Sequence, residues 1–240
     1  MSRGVYVALS GAVAQEQALE TTAQNLANAS TSGYQKMRPV FNEALRGASK
    51  NNQKLHYGAI ARTVNDTSRG PIKQTGNTAD VAFKENQYLA VNTERGERYT
   101  RNGEIKMGPD GTLRAAGQPL MREDGKTIQI SPADGAPVIR ADGAVLQKGQ
   151  EVARLKIVEP DTGVQLVHER DGVLTARGAM KPVGSPEVET GVIEESNASV
   201  VGSMTDMVTA SRTFEAFQKM LDTFSECDRK VLTTTPTYND

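Results

Sequence analysis

The sequence has little cysteine, few aromatic residues and no long apolar run. Cys227 is the single cysteine, so no disulfide can form within the chain. Tryptophan is absent, aromatic residues make up 5 % of the 240 residues, and hydrophobic residues make up 37 %. This composition favours thin or elongated layers over one thick core. No apolar run reaches the roughly 18 residues that a membrane-spanning helix needs, so we expect no membrane insertion.

The charges are balanced. Lys and Arg number 28 and Asp and Glu number 29, which gives a net charge of -1, and the two signs are interspersed along the chain. A nucleic-acid-binding protein would show a basic patch or stripe, so we expect no nucleic acid partner.

The start of the chain imitates a short signal peptide, with Arg3, the apolar run 4–13 and the small triplet 12–14. However, Ser10 and Gly11 interrupt the apolar run, and a helical pattern continues through the supposed cleavage site. We therefore expect this segment not to be cleaved.

No residues assemble into a catalytic or metal-binding set. His56 and His168 each lack a second ligand at the spacing of a metal site. Cys227 lies between two acidic residues, which disfavour the reactive thiolate. The Asp-Gly pairs lack the alternating acidic ligands of a calcium-binding loop, so they are better explained as turns. We expect no enzyme activity, no metal and no cofactor.

Each end of the chain predicts one long amphipathic helix, because apolar residues recur at steps of three and four. The N-terminal set is Val5, Leu9, Ala12, Leu19, Ala23 and Leu26, with Glu16 as a polar break. The C-terminal set is Met207, Ala210, Phe214, Phe217, Leu221, Phe224 and Val231. Such narrow stripes are typical of a coiled-coil-like seam, although two ordinary surface helices on one core would show similar periodicity.

The middle of the chain predicts an antiparallel β domain. Asp-Gly pairs occur at 110–111, 124–125, 134–135, 142–143 and 171–172, and they favour tight turns. The segments 87–92, 99–107, 127–131, 138–140 and 152–158 alternate as strands do. Residues 47–70 are polar and indicate a linker or irregular arm.

The predicted fold is therefore α+β and elongated. Its N- and C-terminal helices form a coiled-coil-like inner domain, and an antiparallel β domain is inserted between them. The boundaries are an N-terminal helix at 1–36, a connecting arm at 37–70, the β domain at 71–185, and a return segment with the C-terminal helix at 186–240.

Residues 25–34, Asn-Leu-Ala-Asn-Ala-Ser-Thr-Ser-Gly-Tyr, closely resemble the N-terminal signature of the bacterial flagellar rod and hook proteins. Later blocks of the chain are also similar to that family, and they extend the resemblance over nearly the whole sequence. These blocks are Gln74-Thr75-Gly76-Asn77, Tyr99-Thr100-Arg101-Asn102-Gly103, Gly191-Val192-Ile193-Glu194-Glu195-Ser196-Asn197 and Ala210-Ser211-Arg212-Thr213-Phe214-Glu215.

The resemblance implies a structural subunit of the flagellar basal-body rod, the drive shaft that transmits motor torque to the hook. Its implied partners are the other proximal and distal rod proteins and the type III export apparatus, and its implied location is the periplasmic rod. Residues 84–89 lack the glycines of the distal type, which favours the proximal rod type over the distal one. A non-flagellar coiled-coil scaffold is a further alternative, but it leaves the middle blocks unexplained.

Narrow helical stripes are marginal in water unless they pack, so we expect them to pack against neighbouring subunits. The predicted interface residues on the helices are Leu9, Leu19, Leu26, Met207, Phe214, Phe217, Leu221 and Phe224. The polar run between the first helix and the outgoing arm predicts a hydrogen-bonding joint that also contacts neighbours, through Asn25, Asn28, Gly33 and Tyr34.

Overall fold

The computed structural model describes residues 3–46, 55–169 and 172–234. These residues fall into two compact units. The helix unit contains the described parts of Met1–Leu26, Met37–Thr63 and Val200–Asp240, and the β unit contains Ala27–Lys36 and Val64–Ser199. The α+β class with a β unit inserted between two terminal helices is thereby confirmed.

The helix unit is built from two long helices and a two-stranded sheet. Helix α1 spans Arg3–Ala27 and helix α2 spans Val200–Thr234. Strands β1 (Met37–Arg46) and β2 (Leu55–Asn65) form the sheet. The sequence predicts a linker or irregular arm at 47–70 within the connecting arm at 37–70, whereas residues 55–65 form strand β2. Long extended segments satisfy their backbone groups by pairing.

Two glycines of α1 receive two phenylalanine rings of α2. A Cβ atom added to Gly4 would lie 2.8 Å from Cζ of Phe224, and one added to Gly11 would lie 2.5 Å from Cε1 of Phe217. The glycines are seven residues apart, and so are the phenylalanines, but the order is reversed, so the two helices run antiparallel. One further step of seven along each helix reaches Ala18 and Ala210, and both are buried.

This seam differs in phase from the predicted stripe on α1. Ala8, Ala12 and Ala18 are buried, whereas Leu9 is 48 % exposed. Leu19 and Leu26 are partly buried at the edge of the seam. The reason is steric, since large rings on one helix require small residues on the other, and a search for large apolar residues passes over those positions.

The β unit contains sixteen named strands among its described residues, and every pairing with a described register is antiparallel. The strands are β3 (Ile72–Gln74), β4 (Val81–Phe83), β5 (Tyr88–Thr93), β6 (Gly96–Thr100), β7 (Lys106–Met107), β8 (Leu113–Ala115), β9 (Gln118–Pro119), β10 (Val138–Ile139), β11 (Ala144–Gln147), β12 (Gln150–Arg154), β13 (Ile157–Pro160), β14 (Gln165–His168), β15 (Leu174–Arg177), β16 (Met180–Pro182), β17 (Val188–Thr190) and β18 (Val192–Glu194). A short 3₁₀ helix spans Pro132–Asp134.

The main sheet has six strands in the order β14-β15-β6-β5-β13-β16. Two three-stranded sheets, β10-β11-β12 and β7-β8-β9, accompany it, together with the pairs β17-β4 and β18-β3. The larger of two apolar clusters in this unit contains Phe83, Leu89, Val91, Leu113 and Leu120, all fully buried. The smaller cluster contains Tyr88, Val158 and Leu174.

The Asp-Gly turns adopt the backbone conformation that the sequence predicts. The glycines of all five pairs have positive φ, from 70° at Gly172 to 87° at Gly135. Two of the predicted strands differ from the strands that the structure shows. Residues 127–131 make only isolated bridges, through Thr127 and Gln129, and the predicted strand 99–107 is broken after Thr100.

The return segment also contributes strands to the β unit. Strands β17 and β18 come after residue 185, yet they pair with β4 and β3 at the start of the unit. The return segment thus closes the β unit before α2 begins, because its backbone supplies partners to strands that would otherwise be open edges.

The close contacts between the two glycines of α1 and the two phenylalanine rings of α2 generate a prediction for the helix unit. In an exposed helix, Gly11→Ala would add about 1 kcal/mol of helix propensity. Here the new methyl group would meet the Phe217 ring at 2.5 Å, so we expect the variant to unfold at a lower temperature when followed by far-UV circular dichroism. Adding Phe217→Leu should recover the loss, and Gln17→Ala on the exposed face serves as the control. A higher unfolding temperature for Gly11→Ala alone would contradict the close contact.

Candidate functional site

Three segments of the β unit that lead along the chain to or from the helix unit run side by side. Gly33 N–H donates to the Glu194 carbonyl at 2.8 Å, Glu195 N–H donates to Pro71 O at 2.8 Å, and Asn197 N–H donates to Tyr34 O at 3.3 Å. We call residues 33–36, 66–71 and 194–197, together with Arg101, the three-segment junction.

A buried ion pair lies at the centre of the junction. Arg101 is 1 % exposed and Glu194 is 2 % exposed. Nε of Arg101 donates to Oε2 of Glu194 at 3.2 Å, and Nη2 donates to the same oxygen. The other carboxylate oxygen, Oε1, accepts from the backbone N–H of Gly70 at 3.0 Å. The Glu194 carboxylate therefore connects the return segment to Arg101 and to the backbone of Gly70.

The remaining donors of Arg101 are also satisfied inside the β unit. Nη1 donates to the carbonyl oxygens of Lys84 and Gln87, both at 3.2 Å, and Nη2 donates to that of Phe83 at 3.5 Å. Arg101 is the first residue after β6, at the point where the predicted strand 99–107 is interrupted. A buried charge is tolerated only when its partners are complete, and this set meets that requirement.

Tyr88 connects the ion pair to the N-terminal polar run. The Arg101 guanidinium carbon lies 5.6 Å from the centre of the Tyr88 ring, which places the cation against the ring face. Nε2 of Gln35 donates to the Tyr88 hydroxyl at 3.1 Å, and the hydroxyl lies 3.3 Å from Oε1 of Gln35. Burial raises the pKa of Tyr88, so the phenol keeps its proton in this network.

Asn197 joins the other two segments. Its Oδ1 accepts from the backbone N–H of Lys36 at 2.6 Å. Its Nδ2 donates to the carbonyl oxygens of Asp66 at 2.9 Å and Ser68 at 2.8 Å. A single amide side chain thus links all three segments, in addition to the backbone hydrogen bonds that already join them.

Two glycines allow the backbones to approach this closely. A Cβ atom on Gly33 would lie 2.3 Å from the carbonyl carbon of Arg101, and φ at Gly33 is +69°. A Cβ atom on Gly70 would lie 2.0 Å from the carbonyl oxygen of Glu195. Both contacts are with backbone atoms, which cannot move aside as a side chain could, so only glycine fits at either position.

Tyr34 and His168 close one side of the junction. Their ring centres are 4.9 Å apart with an angle of 32° between the planes, and Nε2 of His168 lies 2.8 Å from the carbonyl oxygen of Gln35. Burial raises the pKa of Tyr34 to about 12 and lowers the pKa of His168 below its usual 6.5. His168 is therefore neutral near pH 7 and holds the N-terminal run as a hydrogen-bonding group.

The polar run that follows α1 makes its bonds within the chain. In the helix unit, the Asn25 side chain accepts from the Met37 N–H and donates to the Met37 carbonyl, both at 2.8 Å. In the β unit, Oδ1 of Asn28 accepts from the Thr31 hydroxyl at 3.2 Å. These hydrogen bonds lie inside one chain, and the contact of this run with neighbouring subunits stays a prediction.

The other predicted interface residues lie along the two helices. Met207, Phe214, Phe217, Leu221 and Phe224 are all partly buried on α2. Sequence reasoning assigned no role to Gln35, Tyr88, Arg101, Glu194 or Asn197. The available signal was that Arg101 and Glu194 both lie in family-like blocks. The sequence around each residue, however, does not indicate that two residues 93 positions apart form a pair.

Metal-binding side chains do not come together in the part of the chain that the structure describes. Among the described residues there is no cluster of three or more His, Cys, Asp or Glu side chains suited to a metal ion. Cys227 is exposed. Within the same residues, neither helix combines the length and apolar character needed to cross a membrane.

Comparison with protein families matches both ends of the chain. Residues 5–35 match the family described as flagella basal body rod protein. Residues 189–234 match the family described as flagellar basal body rod FlgEFG protein C-terminal. The two matches contain α1 with its polar run and the return segment with α2, and they include every predicted interface residue.

Curated relatives extend the similarity along the chain. Flagellar basal-body rod protein FlgF of Mesorhizobium japonicum is 30 % identical over 97 % of this chain and 98 % of its own length. FlgF of Escherichia coli K12 is 32 % identical over 94 % and 95 %. Flagellar basal-body rod protein FlgG of Bacillus subtilis 168 is 26 % identical over 94 % and 96 %.

The junction generates a stability prediction. Glu194→Gln keeps the shape of the side chain but leaves the Arg101 charge buried without a counter-charge. We expect a loss of about 3–5 kcal/mol in the free energy of unfolding, measured with urea. The adjacent Glu195→Gln is the matched control, because Glu195 pairs with Lys73 at the surface and should change stability by at most about 1 kcal/mol. Equal effects of the two variants would rule out a special role for the buried pair.

His168 generates a pH prediction. Because the pKa of His168 is lower in the folded state, the unfolded chain binds the proton more readily. The contribution of His168 to stability is therefore present above pH 6.5 and is lost as pH falls through that value toward the folded pKa. We expect the stability difference between wild type and His168→Gln to shrink between about pH 7.5 and about pH 5. A difference independent of pH would show that the ring does not titrate with unfolding.

Proposed function

The chain belongs to the family of flagellar basal-body rod proteins as a FlgF-like structural subunit, and we propose that it lies in the proximal rod and transmits motor torque toward the hook. The observation that carries this proposal is similarity to FlgF proteins over nearly the whole of both chains. The FlgG relative is less similar along a comparable span, which favours the proximal over the distal position.

We propose that the helix unit is the part of the subunit that assembles with other rod proteins as an inner layer. Its partly buried apolar residues, Leu19, Leu26, Phe214, Leu221 and Phe224, retain exposed surface that a neighbouring subunit could cover. Leu9 contributes as well, because it is exposed. Burial of such surface is the main favourable term in protein association.

The three-segment junction gives the β unit a means of resisting load. Force that reaches the β unit along any of its three connecting segments acts on the same buried ion pair and on Asn197. Fully satisfied buried networks are rigid, because each group that moves loses its partner in a medium without water. The proposed role of the junction is to keep the connecting segments fixed relative to one another while the rod turns.

The proposed route to the rod is the flagellar type III export apparatus, without removal of an N-terminal signal. Ala12 and Ala14, the small residues that imitate a cleavage site, are buried in α1 of the folded subunit. Cleavage there would remove Gly4 and Gly11 and with them the sites of both phenylalanine rings. The absence of disulfides is compatible with passage in an unfolded state.

Deletion and complementation of the gene test the function. A deletion strain should be non-motile and should lack completed rods in electron micrographs of purified basal bodies, and the wild-type gene should restore both. In a strain without the distal rod protein, the chain should still be present in the basal bodies if it is proximal. Swimming deletion cells with complete rods would contradict the function, and loss of the chain together with the distal protein would contradict only the position.

A further inference from the structure

Two segments of the β unit have the same local structure at an offset of 32 residues, the separation of Lys106 from Val138. Residues 106–119 contain strands β7, β8 and β9, and residues 138–151 contain β10, β11 and the start of β12. Each segment belongs to its own three-stranded antiparallel sheet. We call residues 106–119 the first meander and residues 138–151 the second meander.

The pairing register is identical in the two meanders. The first meander has four cross-strand pairs, which are Lys106–Arg114, Met107–Leu113, Arg114–Pro119 and Ala115–Gln118. At the same offset the second meander has the four pairs Val138–Leu146, Ile139–Val145, Leu146–Glu151 and Gln147–Gln150. Turn type and loop length set the register of a hairpin, so the two meanders need the same turns at the same positions.

The first turn of the first meander is an Asp-Gly turn with three hydrogen bonds. The N–H of Gly108 donates to the Thr112 carbonyl at 2.8 Å, and the N–H of Gly111 donates to the Gly108 carbonyl at 3.0 Å. Oδ1 of Asp110 accepts from the Thr112 N–H at 3.2 Å. The side chain of Asp110 thus holds the residue that re-enters the sheet.

The first turn of the second meander repeats each of these bonds. The N–H of Arg140 donates to the Ala144 carbonyl, and the N–H of Gly143 donates to the Arg140 carbonyl, both at 2.9 Å. Oδ1 of Asp142 accepts from the Ala144 N–H at 3.2 Å. Backbone φ is also nearly the same at the two glycines, 74° at Gly111 and 76° at Gly143.

The second turns match at an unusual backbone position. Ala116 and Lys148 have φ of 49° and 51°, and the glycines that follow them, Gly117 and Gly149, have φ of 75° and 80°. Among the described residues, Ala116 and Lys148 are two of the three non-glycine residues with positive φ. Neither alanine nor lysine favours this region, so the turn geometry imposes it in both meanders.

The two meanders also face the core with the same positions. Residues 111–115 and 143–147 show the same order of buried and partly buried residues. Leu113 and its counterpart Val145 are both fully buried in the larger apolar cluster. The pair Lys106–Arg114 is charged, whereas its counterpart Val138–Leu146 is apolar, so this pair does not determine the meander.

An Asp-Gly pair alone does not produce a meander in this protein. Asp124 and Gly125 lie in a turn that closes only an isolated bridge between Met121 and Thr127. Asp134 ends the 3₁₀ helix, and Gly135 leaves it with an extended ψ of -176°. The shared structure of the two meanders therefore requires more than a shared dipeptide.

We propose that the two meanders are copies of one repeated folding unit, and that the β unit builds its core from the buried faces of both copies. Repetition of sequence and structure at a fixed offset is how an internal repeat is recognised. Four positions carry the same residue in both copies, namely Asp110 and Asp142, Gly111 and Gly143, Gly117 and Gly149, and Gln118 and Gln150. The inference goes beyond the proposed function and does not depend on it.

The copies diverge at one inserted residue. In the first copy the N–H of Leu120, directly after Pro119, donates to the Leu113 carbonyl at 2.8 Å. In the second copy Val145, the counterpart of Leu113, pairs with Ala153, and the register shifts between Val145 and Leu146. Val152 is therefore the extra residue of a β-bulge, and it is 39 % exposed. The repeat identifies Val152 as an insertion that the folding unit does not need.

Exchange of the first turn between the copies tests the proposal. Gly108→Arg, Pro109→Ala and Thr112→Ala together give residues 108–112 the sequence of residues 140–144. The full-length variant should keep its fold, and its midpoint of urea unfolding should fall by no more than about 0.5 M, followed by tyrosine fluorescence.

The matched control for the exchange differs from it by one residue. Residues 132–136 read Pro-Ala-Asp-Gly-Ala, so Gly108→Pro with Pro109→Ala and Thr112→Ala gives this sequence at the same place. Proline lacks the N–H that Gly108 donates to Thr112, so the urea midpoint of this variant should fall at least twice as far. Equal losses in the exchange and the control would overturn the equivalence of the two turns.

Two single-residue deletions test the repeat in a different way. Deletion of Val152 gives the second copy the register of the first, so we expect a soluble protein with one cooperative unfolding transition. Deletion of Pro119, at the matching place of the first copy, removes a residue that is not extra. It turns the side chains that follow to the opposite face, so we expect the first copy not to fold and the protein to be insoluble.

The two deletions give opposite results only if Val152 is an insertion in a repeated unit. An insoluble protein without Val152, or a soluble protein without Pro119, would overturn the proposal. None of these changes lies in the helix unit or in the three-segment junction. A loss of motility in a variant that keeps its fold would therefore concern the proposed function and leave the repeat intact.

Discussion

The ion pair between Arg101 and Glu194 is the interaction on which the rest of the β unit depends. Taking two charges out of water costs several kcal/mol for each, so the pair exists only if every donor and acceptor around it is placed. The protein meets this condition with three backbone carbonyls, the N–H of Gly70 and the ring of Tyr88. The positions of residues 66–71 and 194–197 are therefore fixed by the hydrogen bonds and ion pair that compensate one buried charge.

This constraint explains the composition of the polar run after α1. A helix cap alone would need one or two amides or hydroxyls. Here Asn25 closes a loop on Met37, Gly33 lets the chain pass the Arg101 backbone, and Gln35 bonds Tyr88. The run is long because Asn25, Gly33 and Gln35 each meet a different partner, Asn25 in the helix unit and the other two in the β unit.

The two units are packed by different kinds of contact. The β unit has a large apolar core and a buried, hydrogen-bonded ion pair. The helix unit has a seam of small residues and phenylalanine rings, while Leu9, Val13 and Met204 keep about half of their surface exposed. Such a division suits a rod subunit, because the helices keep apolar surface that neighbouring subunits can cover.

Much of this protein is determined locally and was predictable. Asp-Gly pairs set positive φ wherever they occur, since the preference belongs to the residue itself and not to its surroundings. Helix periodicity and strand alternation likewise predict the α+β class, and the family resemblance is carried by contiguous blocks such as residues 25–34.

Only the tertiary structure decided which helix face packs and which residues form the junction. Hydrophobic periodicity cannot identify Gly4 and Gly11 as packing positions, because a glycine has no apolar side chain. Their role becomes visible only in the structure, where a phenylalanine ring lies against each of them. The junction joins residues 53, 93 and 161 positions apart, and no local preference couples such distant groups. Their pairing is imposed by burial, since a charge or amide removed from water must bond to whichever group the fold places beside it.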